Sequence, residues 1–556
     1  MNNKLFLIFL LLLVVSSFSV TALCSDKTLV IADSSLAVNL EYDFSGSTQT
    51  ATAISLLYDG LMDWKIVYNE EYGVYEAAYT LADPGVDFEN ELTEDGLRVV
   101  DWDSPDTALR PALCERLEIS PDWKIWRFHL RKGVFSPYGN ELTSEDVRFT
   151  WERNFYMHGY AEYKNSAASF YGMDQVKVLD KYIIQLTLPE SNYQLLYNRT
   201  ETGGITSICD STEVKKHITD DDPYAAKWIL RNAAGFGPYT LKEWTSGNQM
   251  IFSRREDYYR EIPYFENVII KEVPDSSNRL ALIMGGAVDI ARDLSPKERE
   301  TATESGVRVL WHPGSLQTAI ICNTTIEPFD DVLVRKAMAY ITPYDEIMET
   351  VYMGQATRLG GPVNDMFPGS TNYAVDMYSY NPEKAKELLD EAGYPNGFNT
   401  TLYYDLSQPY SEDIAILLQS SAKNVGINLT LEKIPSSNFL NRLTGTKDMP
   451  IFINERDMPW EPGVQFSVGL YHIKGAFGNF SMYYNPEVDQ LWTDIKKEED
   501  IQKKLKMEDE LQRIIVNDVS WIFLAQQGWH VAIGDDIQGI AMYGDNAIRP
   551  QFAWRE

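Results

Sequence analysis

The sequence is short of almost everything a catalytic chain advertises. It has no G-x-S-x-G elbow, no H-E-x-x-H pair and no G-x-x-x-x-G-K-[ST] loop, which excludes the marked serine hydrolases, zincins and P-loop nucleotidases. Only six histidines occur, none four residues from another, so no helix face offers an imidazole metal pair. Cys24, Cys114, Cys209 and Cys322 contain no C-x-x-C, which argues against a zinc or thiol redox centre. Asp101-Trp102-Asp103 and Asp220-Asp221-Asp222 lack the glycine and closing glutamate of a calcium loop and read as solvated acidic turns. Neither a metal nor a cofactor is expected. Basic residues are scarce: 49 Lys and Arg face 81 Asp and Glu, a net charge of −32. Such a surface repels nucleic acid and anionic lipid.

What is present is a large globular composition, 44% hydrophobic and 23% charged over 556 residues, enough for more than one domain. The N-terminus has the order of an export signal: Lys4, an unbroken apolar Leu5–Val15, then the smaller, more polar Ser16–Ala22. Residues 1–22 are therefore expected to be cleaved. An uncleaved anchor is the second reading, since Leu5–Leu23 approaches the roughly 20 residues a span needs. Lipidation at Cys24 is the third, weakened by the bulky Leu23 before it. All three put the mature chain outside the cytoplasmic membrane, and no later stretch is apolar enough to span. One disulfide among Cys114, Cys209 and Cys322 would suit that compartment. Five N-x-S/T sequons, at Asn198, Asn323, Asn399, Asn428 and Asn479, permit glycosylation without requiring it.

Gly235–Asp293 organises the rest. Tyr239–Trp244 and Gln249–Arg254 flank Thr245-Ser246-Gly247-Asn248 and predict a hairpin. A strand at Val268–Val273, a helix at Asn278–Met284 and a short strand at Ala287–Ala291 follow. Gly237-Pro238-Tyr239, Trp244, Arg255, Tyr258, Tyr259, Pro274, Arg279, Leu282, Gly286, Val288, Asp289 and Ile290 keep the order of a known pattern, GTGPY-x-L-x-x-W through P-D-x-x-x-R-x-x-x-L-x-x-G-x-V-D-I. The chain thereby resembles the family 5 solute-binding proteins of ABC importers, which take peptides, nickel or oligosaccharides. Tyr58-Asp59-Gly60-Leu61, Phe128–Arg153, Phe329–Ile347 and Tyr380–Tyr394 carry further phrases of that family. The main departure is an acidic, tyrosine-rich insertion, Trp64–Leu109.

Along the chain, periodicity predicts a first strand at Thr28–Ala32, a helix at Thr50–Met62 and a strand burying Trp126, Phe128 and Leu130. A helix capped by Thr143 and Asp146 buries Val147, Trp151 and Phe155. Ser295, Asn381 and Asn485 each open a helix with proline at its first position. Thr401–Asp405 and Ile427–Lys433 flank a helical Asp413–Asn424, a βαβ pattern. Trp521–Ala525 is an apolar strand. Arg335 reads as a salt-bridging helix residue and His129 as a surface residue on a strand.

The resemblance implies two α/β lobes on a hinge, a periplasmic-binding-protein-like fold of the class II type with an extra subdomain. The expected organisation is lobe I at 26–293, holding an inserted subdomain at about 55–205, lobe II at 294–524, and a return to lobe I at 525–556. It also implies capture of a small solute by lobe closure and delivery to a membrane permease and its ATPase, by a monomer with no catalytic activity. Peptide-binding relatives write A-D-Y-x-[ED]-P-x-x-F where this chain has Ile453–Phe466, and their Asp holds the peptide's α-ammonium. Asp457 falls on that position; the competing reading is an exposed loop aspartate. Trp460 is placed to stack on a ligand side chain or sugar ring, with Trp64 a further aromatic candidate. Arg456 and Arg358 are candidates for a ligand carboxylate, though neither matches a family position. Peptide is thus the first ligand, oligosaccharide the second from the 33 Tyr, 23 Phe and 13 Trp, and a nickel chelate the third. A secreted hydrolase with paired carboxylates is the rival from another class.

Overall fold

The computed structural model describes residues 26–42, 48–70, 73–78, 86–198, 206–365, 367, 369–406, 408, 410–457, 464–476, 478–498 and 500–556. The expected export segment 1–22, Cys24 and Trp460 lie outside them. Within them, the apolar runs assemble mainly into one mixed sheet of 11 strands. In chain order these are β1 (Thr28–Asp33), β2 (Tyr239–Thr245), β3 (Gln249–Arg254), β4 (Asn267–Glu272), β5 (Ile290–Arg292), β6 (Arg308–Cys322), β7 (Ala356–Arg358), β8 (Asn399–Asp405), β9 (Asn428–Ile434), β10 (Ile451–Asp457) and β11 (Trp521–Ile533). Across the sheet they run β2, β3, β4, β1, β5, β11, β6, β10, β8, β9, with β7 beside β11.

Two groups of strands stand out. In the first, β1 lies parallel between β4 and β5. In the second, β8 lies parallel between β9 and β10. The antiparallel pair β6 and β11 ties them together, because β11 ends against β5 and β6 ends against β10. Nearly all of β11 is buried, which is why it reads as an apolar run with no alternation. Gly528 sits in it where a Cβ would fall 1.6 Å from Trp311 Nε1, so the indole lies directly over the backbone.

A second, antiparallel sheet has six strands in the order Val176–Asp180, Ile183–Thr187, Ile125–Leu130, Cys114–Ile119, Arg98–Val100 and Phe88–Leu92. Trp126, Phe128 and Leu130 are buried on it, as their alternation implies. The helix Ser144–Met157 covers this face, with the Trp151 and Phe128 rings 5.9 Å apart. Each such aromatic contributes about 1.5–3 kcal/mol by burial. Thr143 N donates to Asp146 Oδ2 at 2.7 Å at the helix start. The insertion expected as a long detour supplies strands to two sheets. Phe88–Leu92 and Arg98–Val100 extend the six-stranded one, and Ile66–Asn69 and Val74–Ala77 join Ala541–Met542 and Ile548–Arg549 in a four-stranded one.

Several expectations need correction. The helix predicted to Met62 stops at Leu57, and Met62–Trp64 is a strand paired with Leu109–Pro111. The reason is local: Gly237 N donates to Leu57 O at 3.1 Å, and a Cβ on Gly237 would lie 2.4 Å from the Leu57 carbonyl carbon. The glycine of the G-x-G-P-Y turn thus seats on the helix end and takes a carbonyl that another turn would have used. The strand predicted at Trp521–Ala525 continues to Ile533, and the one at Ala287–Ala291 begins only at Ile290. Arg335 is buried and donates to the carbonyls of Phe329, Asp330 and Asp518 instead of to a carboxylate. The disulfide that an oxidising compartment would suit does not form among Cys114, Cys209 and Cys322, which are free and buried. Burial pushes their thiols up to about 12, 11 and 12, which keeps them protonated and inert. Among the described residues no helix is long and apolar enough to cross a membrane.

Candidate functional site

The carboxyl ends of β1 and β10 and the middle of the β6–β11 pair bring polar side chains into an otherwise apolar sheet. Open α/β sheets bind ligands in such strand-end crevices. At the end of β1, Arg292 Nη1 donates to Asp33 Oδ2 at 2.8 Å, and Gln49 Nε2 donates to Asp33 Oδ1 at 3.1 Å. The same guanidinium donates to Asn546 O at 3.3 Å and lies 5.3 Å from the Trp529 ring centroid. Burial pushes the Asp33 carboxyl up, and Arg292 opposes that shift.

Across the middle of the sheet, Thr318 of β6 pairs with Glu455 of β10. Gln527 of β11 reaches both, with Nε2 donating to Thr318 Oγ1 at 3.1 Å and to Glu455 Oε2 at 3.2 Å. Tyr352 donates to Thr318 Oγ1 at 2.8 Å, and Ser411 donates to Glu455 Oε1 at 2.7 Å. Burial raises the Glu455 carboxyl above its usual range, and Ser411 and Gln527 resist it. This cluster is internally satisfied: each acceptor has a donor aimed at it.

One residue along, the partners change. Gln317 lies opposite Arg456 on one side and Gln526 on the other. Directly opposed residues share a sheet face, and alternation puts this register position on the face away from Glu455, so Gln317 and Gln526 form a row there. Gln317 Nε2 donates to Asn364 Oδ1 at 2.5 Å, and Gln526 Oε1 accepts from Asp365 N at 2.9 Å. Their remaining atoms, Gln317 Oε1 and Gln526 Nε2, have no hydrogen-bond partner among the described residues, nor does Asn454 Nδ2. Gln317 is 2% and Gln526 1% exposed, so both side chains are closed to bulk solvent. An unsatisfied buried amide costs about 1–3 kcal/mol per group, a cost that a ligand bonding it removes. The row presents one acceptor and one donor side by side, the pattern that pairs with a peptide unit or a hydroxyl.

Asp457 and Arg456 are the last two residues of β10, opposite Leu316 and Gln317, so the backbone puts Arg456 level with the amide row and Asp457 one position beyond it. Their side chains and all of Trp460 lie outside the described residues. Trp64 is not on this ladder. Its indole is buried in the core, on the short strand paired with Leu109–Pro111. Sequence reading missed Gln317, Gln526, Gln527 and Glu455. The available signal was Gln317-Thr318 and Gln526-Gln527, polar pairs interrupting runs that are otherwise apolar. Among the described residues, no group of three His, Cys, Asp or Glu side chains is arranged to hold a metal ion.

The helix Val464–Tyr471 touches both Tyr160–Ala167 and Ile501–Asp518, and Lys504 Nζ lies 4.9 Å from the Tyr193 ring centroid.

Residues 108–476 match the family described as bacterial extracellular solute-binding proteins, family 5 middle. The chain is 26% identical over 443 residues to the probable D,D-dipeptide-binding periplasmic protein DdpA of Escherichia coli (strain K12), covering 79% of this chain and 83% of that protein. It is 24% identical over 496 residues to the oligopeptide-binding protein AppA of Bacillus subtilis (strain 168), covering 84% and 86%. Among solved structures, it is similar to the ABC transporter-associated periplasmic binding protein DppA from Helicobacter pylori in complex with the peptide STSA. That match has a TM-score of 0.74 at 23% identity and covers 95% of this chain and 98% of that one. The shared architecture is the two-lobed α/β fold.

Proposed function

Because this chain belongs to family 5 of the bacterial extracellular solute-binding proteins, we propose that it captures a short peptide between its lobes and hands it intact to an ABC permease. The observation that carries the reading is the buried amide row, in which Gln317 Oε1 and Gln526 Nε2 lack partners among the described residues, with Asp457 one position further along β10, opposite Leu316. Asp457 supplies the counter-charge for a peptide's α-ammonium, a charge-assisted pair in a low-dielectric crevice. Gln317 Oε1 and Gln526 Nε2 then take a peptide N–H and C=O. Arg456 meets a ligand carboxylate, and Trp460 covers a ligand side chain. Trp64 has no proposed contact, since its ring is committed to the core.

Lobe I comprises 26–293 and 525–556, with its inserted subdomain at about 55–205, and lobe II comprises 294–524. The hinge is the β6–β11 pair. Its ladder slips between Pro313 and Gln317, where an irregularity bends paired strands. Closure trades an open state for a closed one stabilised by ligand contacts to both lobes. The proposed place of action is the outer face of the cytoplasmic membrane, after export.

Isothermal calorimetry on di- and tripeptides tests this directly. Asp457→Asn should weaken free-amino peptides about ten- to hundredfold, the value of one charged hydrogen bond, and leave N-acetylated peptides unchanged. Equal affinities for wild type and variant would remove Asp457 from the site. Release of cleaved product from any bound peptide would replace the receptor reading with the hydrolase one.

A further inference from the structure

Arg358 stands apart from the interlobe chemistry. Its strand β7 pairs with β11, Thr357 opposite Gln526 and Arg358 opposite Ala525, so alternation sends Arg358 to the face away from the amide row. There it borders a cavity of about 260 Å³, also lined by Tyr344, Asp345, Glu346, Tyr380 and Leu417. The guanidinium lies 3.9 Å from the Tyr344 ring centroid, and Nη2 donates to Tyr378 O at 2.9 Å. These two contacts fix its plane. Among the described residues no carboxylate comes within 4.0 Å of it, and neither Asp345 nor Glu346, both exposed, has an ion-pair partner.

The cavity therefore holds a cation and two anions that form no ion pair within 4.0 Å, although Asp345 acts on the guanidinium from further off. A simple anion would meet the two rim carboxylates, and a simple cation would meet the guanidinium. A molecule carrying both charges satisfies both. The volume is below the roughly 300–1,000 Å³ of sites for drug-sized ligands, and equals roughly nine waters at about 30 Å³ each. We propose that this cavity is a second ligand site, separate from the interlobe crevice, that takes a zwitterion of amino-acid size. The ligand carboxylate meets the guanidinium of Arg358, its ammonium meets Asp345 and Glu346, and its apolar side chain lies against Leu417 and Tyr380.

The probe is isotope-labelled L-leucine in equilibrium dialysis with the full mature chain. The readout is the difference between wild type and Arg358→Gln, so it is independent of whatever the interlobe crevice binds. We expect millimolar or tighter binding in the wild type, weakened at least about tenfold by Arg358→Gln. The double variant Asp345→Asn/Glu346→Gln, both positions exposed and outside the core, should weaken leucine to a similar degree. It should leave 4-methylpentanoate, which lacks the ammonium, unaffected. That variant keeps the test open if Arg358→Gln fails to fold. Equal leucine binding in wild type and both variants, or no leucine binding at millimolar concentration, overturns the proposal. So does 4-methylpentanoate binding as tightly as leucine.

Discussion

Two buried polar regions of this molecule follow opposite rules. In the first half of the chain, two clusters of buried charge are closed on themselves. Arg153 donates two parallel bonds to Glu41, at 2.7 and 2.5 Å, and a third to Tyr224 O at 3.2 Å, with none of its side chain exposed. Burial would raise the Asp63 carboxyl, but Arg110 and Arg260 outweigh it and hold the group at about 2. Tyr543 and the Trp64 amide complete that shell. In the row on β6 and β11, Gln317 and Gln526 are as deeply buried and each leaves one atom unpaired. Polar groups that only hold a fold are closed off by the fold itself. Groups left open while buried call for an explanation, and for this amide row the reading is that something from outside is matched there. Burial is alike in the two regions; one closes its charges on themselves, and the other leaves neutral amide atoms open.

The sharpest way to break this comparison is to remove a partner from a closed pair. Arg153→Met should destabilise the protein by about 3–5 kcal/mol, because Glu41 would remain buried without its fork of donors. Urea unfolding measures it, with the midpoint falling and the slope unchanged. A loss under about 1 kcal/mol would mean that the paired region is no more committed than the open one.

Next in size is an open group that serves no ligand. His472 is fully buried between Trp521 and Phe523, and neither ring nitrogen has a partner among the described residues. Burial in these apolar surroundings drops it to about 3. The folded state thus binds fewer protons than the unfolded one below about pH 6.5. The stability contribution is complete above that pH and is lost as pH falls towards 3, at up to about 1.4 kcal/mol per pH unit. His530, also lowered to about 3 by burial and then by Arg299, acts in the same direction. His472→Phe should flatten the fall in unfolding free energy between pH 6.5 and pH 4.5 by its own share, roughly 2–3 kcal/mol, as read by urea unfolding at each pH. An unaltered pH profile would show that His472 has a proton-accepting partner in solution.

The same contrast explains what was legible in the sequence. Local devices were: the hairpin around Thr245–Asn248, the caps at Thr143, Ser295, Asn381 and Asn485, and the alternation of Trp126, Phe128 and Leu130 all depend on neighbours in the chain. The strand-end position of Asp457 was reached only through a family phrase, and the amide row not at all. Gln317 and Gln526 meet through a ladder joining distant segments, and no periodicity carries that pairing. Inside an apolar run a Gln-Gln pair looks like the end of a strand, which is why β11 was expected to stop at Ala525. The insertion misled for a related reason. Its short strands are completed by Ala541–Met542 and Ile548–Arg549, more than 400 residues on, so alone they read as a loop.

The smallest expected effect separates the two rules most cleanly, because it divides an effect on binding from an effect on stability. Gln317→Leu removes an orphaned acceptor and keeps a similar volume in a buried strand. It also removes the donor to Asn364, so the net change in ligand-free stability should be within about 1 kcal/mol, of either sign. Affinity for a free-amino dipeptide should nevertheless fall about tenfold, since the bond to Gln317 Oε1 exists only in the complex. A group that served the fold alone would give the reverse, a clear loss of melting temperature with unchanged binding. That pattern would place Gln317 with Glu41 and Arg153, and the buried amide row would no longer mark where a ligand lies.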